Sequence, residues 1–335
     1  MQNNKLNQVI WGVIGAGDVC EVKSAPAMMQ IQHSTIKMVM RRQADKAADY
    51  ARRHAIAHWT TNVDELLADP EINAVYIATP PASHAELTIR AARAGKAVYV
   101  EKPMAVSISE CVNMIEACRE ANVPLFVAYY RRTLQGYLKV KELIDKGKLG
   151  EVRSVIIDMK QSLQSDIIAR TDQNWRVNPD IAGGGYFHDL ASHQLDFLDF
   201  LLGEIVDVKG IALNQARIYP ADDMVAAVFQ FQSGCVGSGN WCFTSSAISE
   251  KDSITIIGSK GELTFNSFGN PMLIHFKTVD GSTETFSFNH LQPIQKHLIQ
   301  LVVNELRGEG RSPSTGISAA RTTRIMEIIT NPIRN

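Results

Sequence analysis

The chain has 335 residues, 45% of them apolar, and its 34 basic and 35 acidic side chains leave a formal net charge of −1. That length suits two domains and excludes neither fold class nor enzyme activity, but the balanced charge offers no field to hold nucleic acid or an anionic lipid surface. No apolar run is long enough to span a bilayer, so no membrane partner is expected.

The polar opening at 2–8 has neither the basic region nor the small-residue cleavage site of a secretory signal, so a cytoplasmic protein is expected. Short β-branched runs at 9–14, 35–40, 74–78, 97–100 and 124–128 then alternate with helical patterns at 45–54, 63–68, 83–94 and 107–121. Ser107 with Glu110 forms a capping box at the head of the last helix. This alternation predicts a parallel sheet with helices on both faces, whose ligands bind beyond the carboxyl ends of the strands. After about residue 129 the pattern changes. A helix at 133–146 precedes strands at 152–159, 206–213, 224–231, 236–243, 253–257, 262–265 and 272–276, and helices at 293–307 and 317–329 end the chain. The expected architecture is therefore α/β plus α+β: a Rossmann dinucleotide-binding domain over 1–128, and a second domain over 129–335 built on a mainly antiparallel, open sheet. Cys20, Cys111, Cys118, Cys235 and Cys242 make no Cys-x-x-Cys pair and leave an odd one over, so buried free thiols are expected, with no disulfide framework and no zinc cage.

Gly15-Ala16-Gly17-Asp18-Val19-Cys20 follows the first strand and opens a helix. In that context one glycine makes the tight turn and the next lets backbone approach a pyrophosphate; Cys20 stands where the fingerprint has a third glycine or alanine. The second strand ends in Arg41 and Arg42, with no carboxylate for a ribose 2′-hydroxyl. Two guanidinium groups suit a 2′-phosphate and favour NADP, with NAD the alternative; solvated loop charges are the other reading. Glu101-Lys102-Pro103 ends another strand at the carboxyl edge, where an ammonium could stabilise charge developing on a carbinol oxygen.

Farther on, Gly183, Gly184 and Gly185 precede a helical pattern in which Asp189, His193 and Asp196 recur at i, i+4 and i+7. A carboxylate one turn from an imidazole can orient it as a general acid or base. The same spacing also fits a solvent-facing stripe on an amphipathic helix. No second histidine cluster completes a ligand set, so no metal is expected.

These motifs occur in an order that resembles the glucose-fructose oxidoreductase, inositol dehydrogenase and rhizopine-catabolism (Gfo/Idh/MocA) family: the glycine turn, Ala78-Thr79-Pro80-Pro81 with His84, Glu101-Lys102-Pro103, Tyr130-Arg131-Arg132, Trp175-Arg176, and the run from Gly183 to Asp196. The resemblance implies an NAD(P)-dependent enzyme that moves a hydride to or from a CH–OH carbon of a sugar, polyol or related small molecule. It implies Lys102 as the catalytic lysine, His193 as proton donor or acceptor, and Asp189 as a substrate-binding carboxylate that supports His193. Gly15, Ala16, Gly17, Asp18 and Val19 would hold the pyrophosphate, Arg41 and Arg42 the adenosine ribose end, and Thr79, Pro80, His84 and Glu101 the ribose and nicotinamide side. Trp175 and Arg176 would touch cofactor and Arg131 substrate, and a cis peptide would precede Pro103. By analogy with the family a homodimer or homotetramer is expected. A dihydrodiol-type dehydrogenase, a redox-assisted glycosidase and a non-catalytic dinucleotide-binding regulator are the alternatives within the family. Ala191 departs from the family's usual glycine in Asp-x-Gly-x-His.

Overall fold

A computed structural model describes residues 5–168 and 174–331, and it divides into two units, 1–130 with 291–320 and 131–290 with 321–335. In the first unit six strands, β1 (Val9–Ile14), β2 (Ser34–Met40), β3 (His58–Thr60), β4 (Ala74–Ile77), β5 (Ala97–Val100) and β6 (Leu125–Val127), form one sheet in the order β3-β2-β1-β4-β5-β6. Every pairing in it is parallel. β4 and β5 are buried along their whole length, which is why they read as unbroken apolar runs and not as alternating ones. Val75, Ile77, Val98 and Val100 pack with residues such as Leu87 and Met114 into one core. The helices of this unit are α1 (Ala25–Gln30), α2 (Ala44–Arg53), α3 (Val63–Ala68), α4 (His84–Arg93) and α5 (Ile108–Glu120). The Ser107 hydroxyl caps α5 by accepting from the Glu110 backbone N–H at 3.2 Å. Strand order reverses between β1 and β4, the switch point at which open parallel sheets bind ligands.

The second unit carries α6 (Gln135–Asp145), α7 (Pro179–Ala182), α8 (Ser192–Leu202) and eight strands: β7 (Val152–Lys160), β8 (Ile205–Leu213), β9 (Met224–Phe231), β10 (Val236–Cys242), β11 (Lys251–Gly258), β12 (Gly261–Phe265), β13 (Met272–Thr278) and β14 (Thr283–Phe288). Their order is β14-β13-β12-β11-β7-β10-β9-β8, antiparallel except where β7 and β10 run parallel. In β9 and β10 buried and open positions alternate, so one face of the sheet is packed and the other open.

Two helices end the described chain, α9 (Lys296–Leu306) and α10 (Gly316–Thr330). The sequence pattern predicts a second domain running unbroken over 129–335, whereas the structure groups 291–320 with the first unit. The apolar face of α9 packs against α1. The Ser314 hydroxyl donates to the Val127 carbonyl at 2.7 Å, and Phe126 bridges Thr315. Periodicity predicts that such a helix exists but not which sheet it covers. Cys20, Cys111, Cys118 and Cys235 are buried free thiols and Cys242 is partly covered. No described helix is long and apolar enough to cross a membrane.

Candidate active site

In the first unit the glycine turn leaves β1 directly against the end of β4. Gly15 has φ +85°, a left-handed conformation, and a Cβ there would lie 2.7 Å from Thr79 Cγ2 and 2.9 Å from the Thr79 backbone nitrogen. Only glycine fits. At Gly17 the situation is reversed, since a Cβ would meet nothing nearer than the Gly15 oxygen at 3.9 Å. The turn is thus anchored at its first glycine and open at its second, with Asp18 exposed and Val19 half-buried beside it. That open backbone is a cradle that a side chain would fill, and it fits a pyrophosphate. Cys20 is fully buried and burial pushes its thiol up to about 12, so it serves here as a small neutral packing group. The helix expected after the turn begins as a π-turn, Cys20–Ser24, before α1. Ala16 is buried within the turn.

Arg41 and Arg42 follow β2, the first half-buried and the second exposed. Among the described residues neither guanidinium takes part in an ion pair. Thr79 and Pro80 extend from β4, and the Ser83 hydroxyl donates to Thr79 Oγ1 at 2.7 Å. His84 is fully buried, with Nε2 2.7 Å from the Thr79 carbonyl and Nδ1 3.0 Å from the Pro103 carbonyl. It braces the loop after β4 to the loop after β5. Burial holds its imidazole below the usual histidine range.

That second loop carries Glu101-Lys102-Pro103, with the Lys102–Pro103 peptide cis as the resemblance implied. Glu101 is buried, and its Oε1 accepts from the Tyr76 hydroxyl at 2.6 Å and from Gln295 Nε2 at 2.7 Å. Its Oε2 accepts from the Lys102 backbone N–H at 3.2 Å. Lys102 itself is half-buried at the carboxyl end of β5. The first unit thus gathers the glycine turn, Thr79 and Lys102 at the ends of the three adjacent strands β1, β4 and β5.

In the second unit a π-turn, Phe187–Ala191, precedes α8. Asp189 lies in the turn and His193 in the first turn of the helix, where His193 is buried with its ring centroid 6.1 Å from that of Phe268. The Arg131 guanidinium lies 4.3 Å over the same Phe268 ring, while its Nη1 donates to the Ser267 carbonyl at 2.7 Å and the Tyr137 hydroxyl at 3.2 Å. Asp189 Oδ2 stands 3.4 Å from Arg176 Nε, and the Arg176 guanidinium stacks 4.5 Å from the Trp175 ring. Gly184 is needed where it stands: a Cβ would fall 2.1 Å from His188 Nδ1, which faces the Gly184 carbonyl at 3.1 Å.

The solvent-facing stripe that this spacing also fits does not occur on α8. Residues 192–199 are all buried, so the helix has no solvent face there. Asp196 instead meets Arg132 in a buried fork, Nε to Oδ2 at 2.8 Å and Nη2 to Oδ1 at 2.6 Å. Burial pushes its carboxyl up to about 6, with Arg132 only partly offsetting that cost. Asp199 pairs with Arg321 in the same manner. Gln194 carries no signal in the sequence, yet it is buried, donates to Ser267 Oγ at 2.8 Å and accepts from Trp241 Nε1 at 2.7 Å. Nothing local distinguishes it from a surface glutamine. Phe268 and Gln295 likewise carried no local signal.

A parallel sheet in this order, an anchored and open glycine turn, and a lysine two strands away define a dinucleotide-binding oxidoreductase unit. Residues 9–129 match the model of the oxidoreductase family with an NAD-binding Rossmann fold, and 137–264 match the Gfo/Idh/MocA C-terminal domain. Oxidoreductase P35 of Formosa agariphila is 39% identical over 322 residues, spanning 96% of this chain and 98% of that protein. Levoglucosan dehydrogenase of Pseudarthrobacter phenanthrenivorans is 30% identical over 255 residues, 69% of this chain and 64% of that protein. A solved levoglucosan dehydrogenase in complex with NADH and levoglucosan superposes with a TM-score of 0.81 at 24% identity, covering 96% of each chain. The chain belongs to the Gfo/Idh/MocA family of NAD(P)-binding oxidoreductases.

Proposed function

We propose that this protein is a dehydrogenase or reductase that prefers NADP(H) and acts on a carbinol or carbonyl carbon of a sugar or polyol. One observation carries the reading: Lys102 stands at the carboxyl end of β5, two strands from a glycine turn whose backbone is open at Gly17. A bound nicotinamide supplies the hydride acceptor for oxidation and the donor for reduction. In oxidation His193 takes the hydroxyl proton, and the Lys102 ammonium stabilises negative charge gathering on that oxygen; in reduction His193 returns the proton. Asp189, held by Arg176, binds a substrate hydroxyl and supports His193. Arg41 and Arg42 receive the 2′-phosphate, a role supported by the absence of any competing carboxylate partner for either among the described residues. Thr79 and Pro80 line the ribose side, Trp175 and Arg176 contact the cofactor, and Arg131 contacts the substrate. The sugar assignment draws on the levoglucosan-oxidising relative. The outward face of the second sheet exposes Ile156, Ile211 and Val228, which supports a homo-oligomer, to be checked by light scattering.

The test is a screen at the NADPH absorbance band with levoglucosan, aldoses, ketoses, cyclitols and cyclic diols, in both directions and with both cofactors. Stoichiometric NADP+ reduction by a sugar or polyol is the expected result. Aglycone release at constant cofactor redox state would replace this reading with redox-assisted glycoside cleavage, and tight cofactor binding with no turnover of any class would replace it with a regulator.

A further inference from the structure

Gln295 immediately precedes α9, and it is completely buried although it lies 194 positions from the carboxylate it meets. Its amide has a single workable orientation. Nε2 donates to Glu101 Oε1 at 2.7 Å, while Oε1 accepts from the Tyr99 hydroxyl at 2.9 Å. Turned over, the amide would set its oxygen against the carboxylate. Tyr99 is fixed in turn, since Tyr76 and Tyr99 are register partners on β4 and β5 and their rings stack at 5.2 Å and 25°. Tyr76 donates to the same Glu101 oxygen, and the other oxygen accepts from the Lys102 backbone N–H. Two phenols and one amide therefore set the position of a carboxylate that itself holds the peptide nitrogen of the residue read above as the oxyanion-stabilising lysine.

We propose that Gln295 is a positioning residue for Lys102, acting through Glu101; the inference rests on the catalytic reading of Lys102. With the amide removed, Glu101 Oε1 keeps one donor in place of two, and its carboxylate can turn away from the Lys102 nitrogen. A displacement of about 1 Å in a reacting group is enough to cost on the order of 100-fold in rate.

Two substitutions test this, with levoglucosan and NADP+ as the probe reaction. Gln295→Leu removes the donor at every pH. Gln295→Glu sets a second carboxyl against Glu101, and two carboxyls sharing one site hold one proton between them well above the usual range. While that proton is held the bridge survives, and on its loss the two groups repel. The other titratable groups around Glu101 are Tyr76, Tyr99, Cys20, His84 and Lys102, with Tyr130 beside Tyr99. The phenols of Tyr76 and Tyr99 and the Cys20 thiol are held protonated by burial and His84 is held neutral, while Lys102 and Tyr130 are common to all the enzymes compared.

For Gln295→Leu the expected result is a kcat at least about 10-fold below wild type, with KM for NADP+ within about 3-fold. For Gln295→Glu it is near-wild-type kcat at the acid end of the range and a fall of about 10-fold toward the alkaline end. The unfolding midpoint of cofactor-free Gln295→Glu should drop below wild type over the same pH window, which reads the shared proton without any turnover. Wild-type kcat in a folded Gln295→Leu enzyme overturns the proposal, as does a Gln295→Glu enzyme whose kcat and unfolding midpoint keep the wild-type pH dependence. If Lys102→Met alone keeps wild-type turnover, the catalytic reading of Lys102 fails and takes this inference with it, an outcome visible without touching position 295.

Discussion

Acid should loosen this protein through His188. The imidazole is buried in the turn ahead of α8, with Nδ1 donating to the Gly184 carbonyl, and burial lowers it from 6.5 to about 4. The folded-state value lies below the unfolded one, so the stability of the neutral form is fully present above pH 6.5 and is lost as pH falls through 4. Between those limits the unfolded chain carries a proton that the folded chain refuses, and stability changes by about 1.4 kcal/mol per pH unit. Over the interval the loss comes to about 3 kcal/mol. His188→Asn keeps an N–H near the Nδ1 position and removes the titration. Urea unfolding of both proteins at steps from pH 7.5 to 4 gives two stability curves, and their difference isolates this residue from His84, which burial also holds low. The expected difference grows toward low pH, with wild type losing about 3 kcal/mol more than the variant. Parallel curves across the range would refute the burial argument, as would an NMR titration of His188 with a midpoint near 6.5.

Other consequences separate folding from function. Gly15→Ala places a Cβ against Thr79 in a left-handed backbone and should cost about 2–4 kcal/mol of stability by urea unfolding, whereas Gly17→Ala should leave stability within about 1 kcal/mol and weaken NADPH binding at least 10-fold by fluorescence titration. Arg41→Ala with Arg42→Ala should shift the ratio of NADPH to NADH dissociation constants by about 10- to 100-fold toward NADH. Because burying the Asp196 carboxylate outweighs its attraction to Arg132, Arg132→Met together with Asp196→Leu should be as stable as wild type at pH 7 or up to about 4 kcal/mol more so. The wild-type Asp196 has its folded-state value raised, so its penalty is absent below the unfolded value and develops as pH rises through about 6; the advantage of the double variant should therefore shrink in acid.

The first sheet was legible because buried parallel strands must be continuously apolar, and the glycine turn because a left-handed φ and an open backbone admit few other residues. Two edge strands escaped for the opposite reason. β3 is only His58–Thr60, and β14 exposes much of Thr283–Phe288, so neither shows a buried periodicity. The π-turns at Cys20–Ser24 and Phe187–Ala191 also left no mark, since a π-turn differs from an α-turn by one hydrogen-bond step and needs no special side chain. Within the candidate site, His193 and Lys102 could be named from motif and strand position. Asp196 could not be sorted from Asp189 by helical spacing, because its partner Arg132 comes from a segment 64 positions earlier. Gln295 lies still farther from Glu101 in sequence, and only the folded chain brings them together.

Single-turnover hydride transfer in Lys102→Met and His193→Ala, each loaded with cofactor at a measured dissociation constant, tests the central claim most directly. Transfer slowed by about 100-fold or more in each, with cofactor binding within about 3-fold of wild type, is the result this account predicts. Wild-type transfer rates in both variants would contradict it.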